Sequence, residues 1–208
     1  MNISDWFFFI SICFLGALSP GPSLWVIVHN TLSDGKFSGY KTSFGHSCGI
    51  FFYALLACFF IFFLMNFNTN LFNLLRIFGV IYLLILGRNL LKKNVLTFRY
   101  KTIKKERDFF LSGFYISFLN PKIGVFFFSL FSQFMPLNNH FLIYFLLAFI
   151  SSLVDFLVYV SIVKLITKLN LEKFYNKNNN VISFLFGIIL ILFSMFISFD
   201  ILRSFIHQ

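Results

Sequence analysis

Six long apolar runs recur along the chain, at residues 6–28, 42–64, 71–87, 109–131, 141–163 and 181–200. A helix crossing the hydrocarbon core needs about 20 apolar residues, so the pattern predicts an all-α membrane protein with six transmembrane helices. The third run is short, and the first and fourth are interrupted near their middles. The interruptions read Ser19-Pro20-Gly21-Pro22 and Asn120-Pro121-Lys122. Proline removes a backbone donor and clashes with the preceding turn, so a helix passing through either point breaks or kinks. In lipid such a break is tolerated only where the freed groups face protein or a wet cavity. Ser19 and Asn120 are good N-cap residues, each followed by a proline suited to the first position of a new helix. Two breaks of like chemistry, one in each half, mark the place where a transporter's binding site is expected. The alternative is a pair of proline kinks that only shape packing.

Charge adds orientation. Fourteen of the 17 Lys and Arg residues fall in the stretches after runs 1, 3 and 5, eight of them between Arg88 and Arg107. Basic loops stay on the cytoplasmic side, which places both termini on the other side. Three runs per half then make the halves antiparallel. The expected architecture is a single transmembrane domain over 1–208, built of two inverted three-helix repeats, about 1–87 and 109–208, with helices 1 and 4 broken. Residues 88–108 form the basic cytoplasmic loop between them, a solvated segment that attracts anionic lipid. Residues 6–18 resemble the apolar part of a signal peptide, but Met1 to Asp5 lack a basic residue and Pro20 disfavours cleavage after Ser19. They read as a retained first helix.

Composition agrees with a membrane protein: 59% of residues are hydrophobic and 12% charged, with a mean hydropathy of +0.86. Soluble domains are about a quarter charged. The net charge of +10 comes from the loops and does not call for a nucleic-acid partner. Thirty-six phenylalanines suggest a compositional bias rather than a phenylalanine-specific role. Cys13, Cys48 and Cys58 lie inside apolar runs without metal-ligand spacing and read as packed thiols.

Asp155 is the one acidic residue deep within a run. An ionisable group there is costly and faces the bundle interior or a wet path, which makes it a candidate proton carrier; a carboxylate that only fixes a broken helix is the alternative. Lys122 follows the second break and has three readings: contact with a substrate carboxylate, pairing with Asp155, or bonding of freed carbonyls. Arg76 lies near the outer end of its run and is expected to snorkel to the interface. Gly35, Gly39, Gly45 and Gly49 punctuate the start of the second helix, and Gly45-His46-Ser47-Cys48-Gly49 permits close helix approach. His46 in that stretch either faces the pathway or is packed and hydrogen-bonded. No zinc-protease pair, acidic dyad or phosphate loop appears, and the seven acidic residues are too dispersed for a divalent-metal cage. Neither a metal nor another cofactor is expected.

These residues together resemble the LysE/RhtB-type translocator family of bacterial amino-acid exporters. The resemblance runs through Ser19-Pro20-Gly21-Pro22 and the spaced glycines, then Gly79, Tyr82-Leu83 and Gly87. It continues through Phe110-Leu111-Ser112-Gly113-Phe114, Leu119-Asn120-Pro121-Lys122, Phe127-Phe128, Gln133-Phe134, Asp155 and Gly187. Ser23 stands where the family often has Asn or Asp, and phenylalanines replace small residues after Ala57. The resemblance implies a multi-pass protein of the bacterial cytoplasmic membrane that exports amino acids or related small metabolites, driven by the proton-motive force. Its partners would be a small zwitterionic substrate, protons, membrane lipid and, as a further candidate, a second copy of the chain. The expected pathway residues are Ser19, Pro20, Gly21, Pro22, Ser23, Asn120, Pro121, Lys122 and Asp155, with His46 as an additional candidate. The competing readings are a membrane-embedded structural subunit of a larger complex and an intramembrane enzyme, the latter lacking a nucleophile–base pair.

Overall fold

A computed structural model describes residues 3–19, 21–67, 69–91, 108–134 and 141–169, together with 184, 187–192, 194–195 and 198–199. Seven helices follow in order: α1 (Ile3–Leu18), α2 (Pro22–Asp34), α3 (Lys36–Phe67), α4 (Thr69–Leu91), α5 (Phe109–Phe118), α6 (Pro121–Phe134) and α7 (Phe141–Leu169). Residues 187–192 are also helical, and the described residues contain no strand. α3 and α7 are each long and apolar enough to cross a membrane. The pairs α1–α2 and α5–α6 each pass as one interrupted span, bent by 59° and 57°. Five of the six predicted runs thus coincide with described helices. Pro20, most of the sixth run and the basic loop over 92–107 lie outside the described residues.

The second break follows the sequence reading closely. The Asn120 side chain accepts from the Lys122 N–H at 3.0 Å, and the Asn120 carbonyl accepts from Ile123 and Gly124. Asn120 therefore caps α6, with Pro121 as its first residue. At the first break the expected register shifts. The N-cap of α2 is Gly21 and its first residue is Pro22; Ser19 makes no cap of α2. The sequence offered two prolines, and the second, not Pro20, opens the helix. Ser19 is left free to bond elsewhere.

α3 begins six residues before the predicted run. Gly35, at φ +86°, ends α2 and turns directly into α3, a left-handed conformation that favours glycine. Ser38 then donates to the carbonyls of Asn30 and Gly35, and Asn30 donates to Thr42 at 3.0 Å. These polar residues let the helix continue past its apolar stretch.

The small-residue expectation for α3 finds its partner in α5. A β-carbon at Gly45 would stand 2.7 Å from the Phe110 carbonyl carbon, and one at Gly113 would stand 2.8 Å from the His46 nitrogen. Glycine on both helices lets backbone meet backbone. Elsewhere the core is aromatic and aliphatic. Phe9 of α1, Ile50, Ala54 and Ile61 of α3, Phe131 of α6 and Leu147 of α7 form one buried cluster. Ile27 of α2 packs on Val158 and Val163 of α7, and Leu190 reaches Val80 and Leu83 of α4. Many phenylalanines instead point outward, among them Phe8, Phe52, Phe60, Phe63, Phe78 and Phe149. In a membrane that surface meets lipid rather than water.

Candidate functional site

The two breaks meet. Lys122, on the second residue of α6, sends its ammonium across to the Ser19 hydroxyl at the end of α1. The same Nζ lies 3.5 Å from where a β-carbon at Gly21 would stand, so the α2 N-terminus passes beside it without obstruction. Backbone N–H groups at a helix start carry partial positive charge. Lys122 therefore brings a basic side chain to a point where α2 and α6 both begin.

α3 and α7 supply a second pair of ionisable side chains. His46 Nδ1 stands 2.8 Å from Asp155 Oδ2, with both side chains buried. The Tyr159 ring meets the His46 ring edge-on at 4.9 Å. Ser152 of α7 donates to the Ser47 carbonyl of α3 at 2.8 Å and fixes the register of the two helices. A buried histidine–carboxylate contact is by itself weak evidence for stability. Its presence here calls for a role beyond packing.

Both groups line one cavity of about 50 Å³. Ser19, Gly21, Pro22 and Ser23 border it from the first break, and Asn120 and Lys122 from the second. His46 and Asp155 border it from the long helices, and Ile50, Ile123, Phe126 and Phe127 give it an apolar wall. Two buried polar atoms at this cavity have no hydrogen-bond partner, Ser23 Oγ and His46 Nε2. Buried polar groups are normally paired, so these atoms are suited to partners that enter from the cavity.

The structure thus brings together every described pathway residue named from sequence except Pro121. Pro121 is exposed and lines a separate, wider apolar groove with Tyr53, Phe60, Phe78 and Tyr82. It is the first turn of α6, not its side chain, that faces the cavity. Arg76 also departs from expectation: its guanidinium donates to Gln133 of α6 at 3.1 Å instead of only reaching outward. Cys13, Ser151 and Tyr159 line the cavity as well and escaped the sequence reading. For the last two a signal existed. Ser151, Asp155 and Tyr159 recur every four residues, which places them on one face of a helix. Among the described residues no group of His, Cys, Asp or Glu is placed to hold a metal ion.

A multi-pass helical membrane protein, with two interrupted helices converging on a buried charged cavity, is the class that fold and site define. The model of the LysE type translocator family matches residues 14–200, and the chain belongs to that family. Membership places it among membrane transporters, with amino acids or related compounds as the family's cargo. No solved structure matches the chain.

Proposed function

We propose that the protein exports a small zwitterionic amino acid or related metabolite from the bacterial cytoplasm, drawing on the proton-motive force. The observation that carries this reading is that Lys122–Ser19 and His46–Asp155 line one cavity. A carboxylate fits beside Lys122 and the starts of α2 and α6, where charge and helix dipoles both favour an anion. An ammonium fits beside His46 and Asp155. The dipole of a free amino acid matches this arrangement, whereas a structural subunit has no use for a buried cavity with unpartnered polar atoms. The direct test is counterflow in proteoliposomes against a panel of labelled amino acids. Movement of at least one is expected, and none for any compound would favour the subunit reading. Lys122→Gln should weaken substrate affinity by about 10- to 100-fold, as loss of a charge-assisted bond costs about 1.5–3 kcal/mol. An unchanged half-saturation concentration in counterflow would remove Lys122 from the site.

In the proposed orientation, the sequences 1–87 and 109–208 are antiparallel repeats with both termini outside the cytoplasm, as the distribution of basic residues favours. In a background lacking Cys13, Cys48 and Cys58, cysteines at Asn68 and Asn138 should react with an impermeant thiol reagent applied outside. Those at Thr102 and Asn178 should react only after permeabilisation. The reverse labelling pattern would refute the orientation.

A further inference from the structure

We infer that the Nε2 atom of His46 is the coupling point of the transporter, taking either a proton or the substrate's ammonium but never both, so that one proton enters for each molecule exported. The inference rests on the export reading above and assigns its coupling to an atom.

The argument starts from the partner of the other ring nitrogen. Nδ1 lies 2.8 Å from Asp155 Oδ2, and an ionised carboxylate only accepts hydrogen bonds. In the proposed arrangement the carboxylate is the acceptor of that bond and Nδ1 its donor. In a neutral ring that leaves Nε2 as a bare acceptor. His46 is only 1% exposed, its Nε2 has no partner, and the residue lines the cavity between the two breaks. An unpaired buried acceptor is costly, and His46 is among the residues that border the cavity. Ser23 Oγ, also buried and unpartnered, offers a second contact on the first break.

Two cationic partners satisfy Nε2. An ammonium donates to its lone pair, or a proton binds that lone pair outright. Each excludes the other. With a proton on Nε2 the ring is an imidazolium, held by the Asp155 carboxylate, and has no acceptor left for a substrate. The exchange balances without any other reactant. On the outer side Nε2 takes a proton from water as the ammonium leaves; on the cytoplasmic side the proton returns to water as the next ammonium arrives. A net-neutral zwitterion moves out and one positive charge moves in, so export responds to membrane potential as well as to the pH difference.

The titratable neighbours are few. Asp155 and Tyr159 face His46 from α7. Lys122 of α6 and Cys13 of α1 share the cavity. α2 contributes Ser23, which does not titrate; α4 gives nothing to the cavity lining, and α5 carries only Tyr115, which is exposed. Lys122 is the one lysine or arginine among the described residues that line the cavity. Asp155 is the one carboxyl side chain among the described residues that line the cavity.

The test has two arms, both on the full chain in lipid nanodiscs. The first uses glycine, which carries an ammonium and a carboxylate and no side chain, with a pH indicator in weak buffer. At the acid end of the range where counterflow declines, about one proton is expected to be released per glycine bound, on the one-site competition of linked equilibria. His46→Gln should release none and should show a counterflow rate that no longer varies with pH, whatever its size. Glycine binding without proton release by the native protein would overturn the inference. Failure of glycine and of the wider amino-acid panel to bind at all would overturn the export reading instead. The second arm needs no substrate and no change at position 46. It uses nitrogen-15 NMR of labelled histidine in a chain whose His29, His140 and His207 are replaced by Gln. A hydrogen on Nδ1 and a bare Nε2 at neutral pH are expected. The opposite tautomer would make Nε2 a donor and sink the proposal on its own.

Discussion

Asp155→Asn is expected to lose about a hundredfold or more of pH-gradient-driven accumulation in proteoliposomes. Exchange of labelled for unlabelled substrate should persist at a measurable rate. Asparagine keeps a carbonyl that accepts from His46 Nδ1, at the same size and position. It removes the negative charge that offsets a proton on the ring. Leaving a buried charge without its partner costs about 3–5 kcal/mol, or about two to three and a half orders of magnitude in the population of the proton-loaded state. Gradient-driven transport passes through that state, while substrate-for-substrate exchange does not require it. The measurement compares the two modes in one preparation. Accumulation with the native pH dependence would show that Asp155 is structural and would send the search for a coupling route elsewhere.

The second large effect concerns the joint between α3 and α5. Gly45→Ala and Gly113→Ala are each expected to destabilise the folded protein by about 3 kcal/mol, the upper end for overpacking. The melting temperature should fall on the order of 5–10 °C. The opposing atoms are backbone of Phe110 and of His46, and neither can swing aside without moving its helix. Gly16→Ala is the useful comparison. Its new methyl would meet the tip of the Phe126 ring at 2.7 Å, a side chain able to turn, so the loss should be much smaller. Thermal melts in detergent of the three variants decide the matter; similar losses at all three sites would contradict the backbone-contact account.

The two breaks were legible because proline acts locally, through its ring and its missing N–H, and needs no knowledge of the fold. Even so, the first was read two residues early. Both Pro20 and Pro22 are suited to open a helix, and local chemistry does not choose between them. The glycines of α3 announced a close approach but not to what. That α5 fills the role depends on where a helix more than 60 positions later happens to pack. His46 was named as a candidate, but its pairing with Asp155 was not. Its partner Asp155 lies 109 residues away, and no periodicity links two side chains on different helices. A lone histidine among small residues looks the same whether it is packed or poised beside a cavity. The bond from Lys122 to Ser19 spans 103 residues and was equally out of reach, although the sequence had placed both residues at the pathway.

The glycine joint also constrains how the molecule moves. α3 comes from the first half of the chain and α5 from the second, yet they meet with no space for a methyl group between their backbones. Surfaces in such contact neither slide nor part without a large penalty, so the pair behaves as one solid spar. A hinge along the boundary between the two halves, the simplest motion for the proposed antiparallel repeats, would have to tear this spar apart. On the proposed export reading, the working stroke falls to other parts, with the two interrupted helices flexing at their breaks against a fixed mast. A covalent tie between α3 and α5 should then leave the cycle running, and one across the breaks, from α1 to α6, should stop it.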